Sequence, residues 1–218
     1  MKKIGIFSDG ILRIPFLVVF LGVLPLRWQV WRKPVFEEVA GWGLRPSASK
    51  AQAYARKHQL PYLALEDGFL RSFGTGDHFP PLSLVMDDAG IYYDCTRPSA
   101  LEHLLASAAD VLQPDAETVR RARAQLLQAG LSKYNHAPDL PVGMLRPQDV
   151  QRVLVVDQTA GDMSVALGGA GAQTFAAMLA AALSENPQAT VYVKTHPEVT
   201  SGRKGGYLTA VQPDARVV

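Results

Sequence analysis

Residues 38–68, "EVAGWGLRPSASKAQAYARKHQLPYLALEDG", contain the pattern that decides the fold. A short apolar strand closes on Gly41 and Gly43, the helix-forming stretch "SASKAQAYARKHQ" follows, and "LPYLAL" is a second strand. A helical crossover brings the second strand back in the same direction as the first, so the two form a parallel pair. The stretch therefore predicts an α/β fold with a parallel sheet.

The same alternation continues on both sides of this stretch. "KKIGIF" predicts an earlier strand, followed by a helix from Ile11 to about Leu21 and a strand at "WQVW". Farther on, "PPLSLVMDDAGIYYD" predicts two strands around a turn. "SALEHLL" predicts a helix in which Ser99 and Glu102 form a capping box. The first part of the chain is thus predicted to be one Rossmann-like domain.

A proline-rich and polar stretch near residues 134–149, "YNHAPDLPVGMLRPQD", predicts a domain boundary. After it come "QRVLVVDQ", a glycine-rich loop, the helix "TFAAMLAAALSENP" and the strand "TVYVKTHPE". This order predicts the start of a second Rossmann-like domain. We expect domains at 1–140 and 150–218, and only about two strands in the second suggest that it is truncated.

Composition excludes several classes of protein. Hydrophobic residues make up 48% of the 218, which suits a globular chain, and a net charge of +2 argues against nonspecific nucleic-acid binding. The single cysteine, Cys95, cannot form an intramolecular disulfide and favours a cytoplasmic location. The scattered histidines predict no metal site.

The apolar stretch 14–26, "IPFLVVFLGVLPL", is too short to span a membrane, since a spanning helix needs about 20 apolar residues. It predicts a buried helix and strand. The alternative is shallow contact with a membrane surface through this stretch and the basic and aromatic residues of "RWQVWRK" beside it.

Glu66 and Asp67 lie side by side at the end of the strand "LPYLAL", and Gly68 follows them. Ligands bind beyond the carboxyl ends of parallel strands. Two carboxylates in different environments can divide the work of a general acid and a general base. The alternative is an ordinary strand-to-loop turn, which Asp and Gly also favour.

Polar residues also follow both strands of the second domain. Lys194 and His196 in "KTHPE" could contact a phosphate, with Pro197 fixing the backbone after the histidine, although a solvated loop histidine is the alternative. Asp157 and Asp162 in "VVDQTAGDMS" could act as a nucleophile toward a sugar carbon. Helix capping by Asp162 is the other interpretation.

Several phrases together resemble the capsule polysaccharide biosynthesis/export family, whose characterised members are retaining β-Kdo glycosyltransferases. They include "GIFSDGILRIP", "VAGWGLRPSA", "LPYLALEDGFLRS", "SKYN" and "VLVVDQTAGDMSVALGGA". The likeness runs in order over most of residues 4–206, the amino-terminal portion of such proteins. A family segment expected near the nucleotide, "SL-x-GFEAL", is not in this chain.

The resemblance implies a GT-B-like enzyme with two Rossmann-like domains across a cleft. It implies CMP-Kdo as the donor, with no other cofactor, and an acceptor built on lyso-phosphatidylglycerol, to which capsule is attached. It also implies a cytoplasmic protein at the inner face of the inner membrane, near the capsule assembly and export machinery. A noncatalytic capsule assembly or export factor, or a GT-B enzyme using another nucleotide sugar, remains an alternative.

The resemblance also implies roles for individual residues. The family's acidic motif falls on Glu66, Asp67 and Gly68, with a carboxylate of the pair as general acid/base. The "HP" motif falls on His196 and Pro197, which would hold the CMP phosphate together with Lys194. Retention implies either a double displacement through a carboxylate nucleophile or a front-side mechanism. For the double displacement, Asp162 is the expected nucleophile, with Asp157 in reserve. From the fork geometry of its guanidinium, we further expect Arg71 to bind the Kdo carboxylate.

Overall fold

Parallel strands joined by helices build the first part of the chain, as the sequence predicts. The computed structural model describes residues 2–74, 78–136, 138–147, 150–209 and 214–218. The chain divides into unit 1, Met1–Pro138, and unit 2, Asp139–Val218.

The sheet of unit 1 has five strands in the order β2-β1-β3-β4-β5. The strands are β1 Lys3–Ile6, β2 Leu24–Arg27, β3 Glu38–Trp42, β4 Tyr62–Asp67 and β5 Leu84–Asp87. The first four are parallel, and β5 is antiparallel to β4. The α-helices of unit 1 are α1 Asp9–Leu12, α2 Leu17–Leu21, α3 Ser49–His58, α4 Ala100–Ala106 and α5 Ala116–Gln128.

Both faces of this sheet are covered, because alternate residues of each strand point to opposite faces. On one face Ile4, Ile6 and Leu65 pack with α1 and α2. On the other, Val39 packs with α3 and with the ring of Phe36. The buried strands thus read as nearly continuous apolar runs, as in other parallel sheets.

The stretch from residue 11 to residue 31 differs from its prediction in three ways. The single helix is split into α1 and α2, because Pro15 and the left-handed backbone of Phe16 (φ 59°) interrupt it. "WQVW" forms no strand, and β2 lies earlier, at the sheet edge, where Pro25 needs no ladder partner. The predicted burial is wrong for Phe16 and Val19, which are 74% and 76% exposed.

Two further predictions for unit 1 have opposite outcomes. Residues 91–94 form a turn rather than a second strand, with the amide of Asp94 donating to the carbonyl of Ile91. The capping box is confirmed, since Ser99 accepts from the amide of Glu102 and the Glu102 carboxylate accepts from the amide of Ser99.

Unit 2 contains a parallel pair of strands, β6 Arg152–Val156 and β7 Thr190–Lys194. Its helices are α6 Met163–Leu167, α7 Ala172–Glu185 and α8 Pro197–Thr200. Its core lies between the strands and α7, where Val155, Val191 and Leu179 are buried and Phe175 stacks on Tyr207. The loops after β6 and β7 therefore leave the same edge of the pair. No helix among the described residues is long and apolar enough to cross a membrane.

Candidate functional site

Glu66 and Asp67 are the last two residues of β4, so the strand runs farther than "LPYLAL" predicts. Neighbouring strand residues point to opposite faces, which separates the two carboxylates and relieves their repulsion. Asp67 lies on the face covered by α1 and lines a cavity there. The glutamate lies on the other face, toward Gly43, which carries the chain from β3 to α3.

Glu66 is a buried carboxyl, 8% exposed. Its Oε1 accepts a hydrogen bond of 3.0 Å from the amide of Asp67. Burial raises the pKa of Glu66 above its usual range, and the Asp67 amide and the positive charge of Arg45 only partly offset this. A carboxyl of this kind can exchange a proton closer to neutral pH than an exposed one.

Asp67 keeps its charge paired inside unit 1. Its Oδ1 accepts from Nε of Arg71 at 2.7 Å, and both side chains are largely buried. The same guanidinium donates through Nη1 to Oγ of Ser72 and to the carbonyl of Phe79. The ion pair thus ties the end of β4 to the segment that follows it.

These bonds change what Arg71 can do. Two of its three guanidinium nitrogens already donate within unit 1, which leaves Nη2 alone without a bond to a described residue. A two-nitrogen fork on a substrate carboxylate, as predicted from the sequence, would have to break one of them. In this arrangement Arg71 positions Asp67.

Gly68 packs closely against the backbone of Ser83, just before β5. Its amide donates to the carbonyl of Ser83 at 3.0 Å, and a Cβ at this position would lie 2.8 Å from the Ser83 carbonyl carbon. Only glycine lets the two segments approach this closely. Close packing therefore accounts for a glycine at this position, and the predicted contact of Gly68 with substrate stays a prediction.

A cavity of about 690 Å³ opens beside Asp67, at the carboxyl ends of β1, β3 and β4. Its wall comes from the loop and helix after β1, the loop after β3 and the segment after β4. It is lined by Ser8, Gly10, Ile11, Arg13, Ile14, Pro15, Trp42, Arg45, Ser47, Asp67, Arg71, Pro80 and Pro81. Arg13 and Arg45 were not among the predicted site residues, although each follows a parallel strand at the edge where ligands bind.

In unit 2, Asp157 directly follows β6 and is 2% exposed. Its carboxylate accepts from the amides of Gln158 at 2.8 Å, Tyr207 at 3.1 Å and Leu208 at 3.2 Å. The last two bonds join segments about fifty residues apart. Asp157 therefore fixes the loop near residue 206 and offers little surface to a substrate.

Asp162, by contrast, is exposed at the start of α6. Its Oδ1 accepts from the amide and hydroxyl of Ser164, both at 2.9 Å, so it caps the helix as the alternative interpretation held. No described residue donates to its Oδ2. Capping and nucleophilic attack are compatible, because each needs only one oxygen.

His196 follows β7 and caps α8 with its ring. Its Nδ1 accepts from the amide of Glu198 at 3.1 Å, and Pro197 occupies the first helical position. In the neutral ring the proton therefore sits on Nε2, which can donate to a ligand. Lys194 is exposed at the end of β7 and adds positive charge at the same edge.

Within each unit, the predicted residues gather at one edge. Glu66, Asp67, Gly68 and Arg71 cluster at the end of β4. In unit 2, residues 157–162 follow β6, and residues 194–197 begin at the last residue of β7. Among the residues that the structure describes, no group of three His, Cys, Asp or Glu side chains could hold a metal ion.

The chain matches a known protein family over most of its length. Residues 37–142 and 134–218 match the family described as "Capsule polysaccharide biosynthesis protein". The chain belongs to this family. The matched residues include the acidic motif at residues 66–68, Asp157, Asp162 and His196.

Relatives within the family include "Capsule polysaccharide modification protein LipA" of Neisseria meningitidis. The chain is 52% identical to the serogroup B protein and 48% identical to the serogroup A protein, over its whole length. It spans 31% of the length of each. It is also 40% identical over 167 residues to the "Lipopolysaccharide-processing protein LpsZ" of Rhizobium meliloti, and this match covers 75% of the chain and 37% of that protein.

Two solved structures from Thermosulfurimonas dismutans are similar to the chain. One is "KpsC, beta Kdo 2,4 transferase", at 47% identity and a TM-score of 0.86, covering 99% of this chain and 67% of that one. The other is "KpsC, beta Kdo 2,7 transferase", at 24% identity and a TM-score of 0.56, covering 92% and 62%. The second likeness shows a shared fold.

Proposed function

We propose that this chain carries the reaction site of a retaining β-Kdo glycosyltransferase, which moves Kdo from CMP-Kdo to the lipid-linked acceptor of a capsule. The likeness of 99% of the chain to a β-Kdo 2,4 transferase is the observation that carries the proposal. In the GT-B arrangement that we propose, unit 1 serves the acceptor and unit 2 serves the donor.

The proposed donor contacts come from unit 2. His196 donates from Nε2 to a phosphate oxygen of CMP, since its Nδ1 is already bonded to the Glu198 amide. Lys194 adds charge, and Pro197 keeps the ring at the start of α8. A charged phosphate accepts such bonds strongly, and CMP departs more easily when its phosphate charge is stabilised.

Retention follows from two displacements at the anomeric carbon. Oδ2 of Asp162 attacks that carbon, a carbon–oxygen bond forms, and the bond to the phosphate oxygen breaks with its electron pair leaving on CMP. An acceptor hydroxyl then attacks the same carbon, its proton passes to a carboxylate, and the Asp162 carboxylate leaves. Two inversions give net retention.

Either carboxylate of the acidic pair could take that proton. The raised pKa of Glu66 suits a base that works near neutral pH. Asp67 has the better access, because it lines the cavity. Asp67→Asn and Glu66→Gln separate the two carboxylates, since the variant that removes the base loses kcat and the other variant keeps it.

Ligand stabilisation and transfer test the proposal. We expect CMP to raise the unfolding temperature of the chain more than UDP does, and CMP-Kdo with a Kdo-terminated acceptor to give a product of one added sugar. Asp162→Asn should abolish that product, and stopped reactions of the wild type should contain a Kdo adduct on the peptide with Asp162. A stronger response to UDP would favour another nucleotide sugar, and no response to CMP with no transfer would refute the proposal.

We also propose that the protein works in the cytoplasm at the inner membrane, where a lipid-linked acceptor is presented. Phe16 and Val19 expose their side chains next to Pro15 and Arg13 of the cavity wall, so apolar and cationic groups adjoin there. Vesicles containing anionic lipid should retain the wild type better than a Phe16→Ser, Val19→Ser variant. Leu127→Ser, at an equally exposed position of α5, is the matched control. Equal retention of all three would refute membrane contact at this place.

A further inference from the structure

The peptide group between Gly43 and Leu44 is held at both ends by tyrosine hydroxyls. Oη of Tyr62, on β4, donates to the carbonyl of Gly43 at 2.9 Å. Oη of Tyr93, in the turn at residues 91–94, accepts from the amide of Leu44 at 3.2 Å. The carbonyl and the amide belong to one planar unit, so the two bonds together fix its orientation.

Gly43 makes such an external constraint necessary. Its φ is +50°, in the left-handed region that favours glycine. Glycine restricts φ and ψ less than any other residue, so its own backbone does little to orient the peptide that follows it. The two tyrosine bonds supply the restriction that the glycine lacks.

The two glycines of the sequence "GWG" make room for these hydroxyls. A Cβ on Gly41 would collide with Oη of Tyr62, and a Cβ on Gly43 would collide with Oη of Tyr93. Successive residues of an extended chain point to opposite faces, so Trp42 lies on the other face, where it lines the cavity. The sequence "GWG" therefore turns a tryptophan toward the cavity and bare backbone toward the tyrosines.

Both bonds depend on the phenol oxygens. Burial raises the pKa of Tyr62 to about 12, so its hydroxyl keeps the proton that it donates at neutral pH. The Tyr93 oxygen acts as an acceptor, which a phenylalanine ring cannot do. Replacing either tyrosine by phenylalanine thus removes one bond and keeps the packing of the ring.

Both carboxylates of the acidic pair adjoin the loop that this peptide opens. On one face of the sheet, Oε2 of Glu66 lies 3.3 Å from the position that a Cβ of Gly43 would occupy. On the other face, Asp67 shares the cavity wall with Trp42 and Arg45. Turning the peptide would therefore change the surroundings of whichever carboxylate takes the acceptor's proton.

We propose that Tyr62 and Tyr93 are positioning residues, whose hydroxyls hold the Gly43–Leu44 peptide in one orientation and so keep the acidic pair in the geometry that proton transfer needs. They act through the loop and not on the reacting atoms. The catalytic part of this inference rests on the proposed function, whereas the held peptide does not. A misplacement of about 1 Å can slow a reaction about a hundredfold, so a loosened loop should lower kcat.

Tyr62→Phe and Tyr93→Phe test the inference in the full chain. Amide exchange followed by NMR should become about tenfold faster or more at Leu44, while the amide of Val39, bonded to the carbonyl of Pro61, keeps the wild-type rate. In transfer assays, kcat should fall about tenfold in each variant, and KM for CMP-Kdo should change by less than about twofold, since the donor is assigned to unit 2. Because both hydroxyls hold one peptide, the double variant should lose less than the product of the two single losses.

Tyr54→Phe is the matched control. Its hydroxyl donates to the carbonyl of Arg32 at 2.6 Å, the same kind of bond in the same unit, and neither residue lines the cavity. We expect this variant to lower the unfolding temperature as the other two do, and to leave kcat and the exchange rate of Leu44 unchanged. If Tyr62→Phe does not fold, Tyr93→Phe alone carries the test.

The outcomes are distinct from those of the transferase test. Faster exchange at Leu44, together with a loss of kcat that Tyr54→Phe does not show, supports the inference. Unchanged exchange at Leu44, or an unchanged kcat despite faster exchange, overturns the positioning role and leaves the proposed function intact. If the wild type transfers no Kdo, the proposed function fails, and exchange at Leu44 still decides whether the hydroxyls hold the peptide.

Discussion

The two aspartates of the loop "DQTAGD", Asp157 and Asp162, should differ in their effects. Replacing Asp157 should lower stability, and replacing Asp162 should abolish the proposed reaction. Asp157→Ala removes a 2% exposed carboxylate and leaves the amides of Tyr207 and Leu208 without their acceptor. Each such bond to a charged group contributes about 1.5–3 kcal/mol, so the loss of the two is about 3–6 kcal/mol. That is a large share of the roughly 5–15 kcal/mol that stabilises a domain.

Asp162→Ala should behave in the opposite way. It removes an exposed helix cap, which costs about 1 kcal/mol, but it also removes the proposed nucleophile. We expect transfer of Kdo to fall by about a thousandfold or more, with the fold retained. Asp157→Ala should lose activity only in proportion to the protein that unfolds.

Far-UV circular dichroism is the suitable assay for unit 2, because the chain's three tryptophans all lie in unit 1. The transition of Asp157→Ala should fall by at least about 12 °C, because each kcal/mol shifts the transition of a unit of this size by about 4–8 °C. Gly206→Ala gives an independent check, since a Cβ there would collide with Oδ2 of Asp157 without changing any charge. A transition of Asp157→Ala within about 2 °C of the wild type would refute the reasoning, and so would an active Asp162→Ala.

Four further predictions concern unit 1, where tryptophan fluorescence reports unfolding. The pKa of Glu66 is raised by burial, so its stabilising contribution is complete below the ordinary glutamate pKa and is lost as pH rises through the folded pKa. Glu66→Gln should therefore gain stability relative to the wild type as pH rises above the ordinary glutamate pKa. Glu102→Gln should show the opposite trend, because hydrogen bonds from its N-cap serine lower the pKa of Glu102; equal trends would contradict both assignments. Arg71→Lys should cost about 1–3 kcal/mol, since an ammonium cannot replace the bonds of both nitrogens, and an unchanged urea midpoint would count against this. Asp87→Ala should cost about 4 kcal/mol or more, because this buried carboxylate accepts from three amides. Exposed Asp88→Ala should change stability by less than about 0.5 kcal/mol, and similar effects of the two would be inconsistent with the structure.

Local sequence patterns predicted much of the fold. The strand–helix–strand order of residues 38–68 needs only periodicity and helix formers, and the structure contains it as β3, α3 and β4. The helix predicted after Ile11 failed at Pro15, where the left-handed turn at Phe16 depends on surroundings that composition does not reveal. A strand was predicted within residues 14–26, and β2 begins there, but the further strand predicted at "WQVW" did not form. Pro25 is acceptable in β2 because the strand lies at the sheet edge.

The candidate site was predictable to a smaller extent. Because β4 extends to Asp67, strand alternation alone places Glu66 and Asp67 on opposite faces of the sheet. The role of Asp157 depends on amides fifty residues away, which no local pattern shows. Arg45 could have been found by asking which cations follow each parallel strand, but its place in the cavity wall is a property of the folded chain alone.

The end of unit 1 is fastened to its own cavity wall. The carbonyl of Lys133 accepts from the amides of Arg71 and Ser72, and the amide of Asn135 donates to the carbonyl of Phe73. Anyone excising this half for crystallisation or NMR must therefore cut after residue 135. A shorter piece stopping at the last turn of α5 would strip the backbone partners from the segment that holds Asp67, and its ligand affinities would describe a damaged pocket.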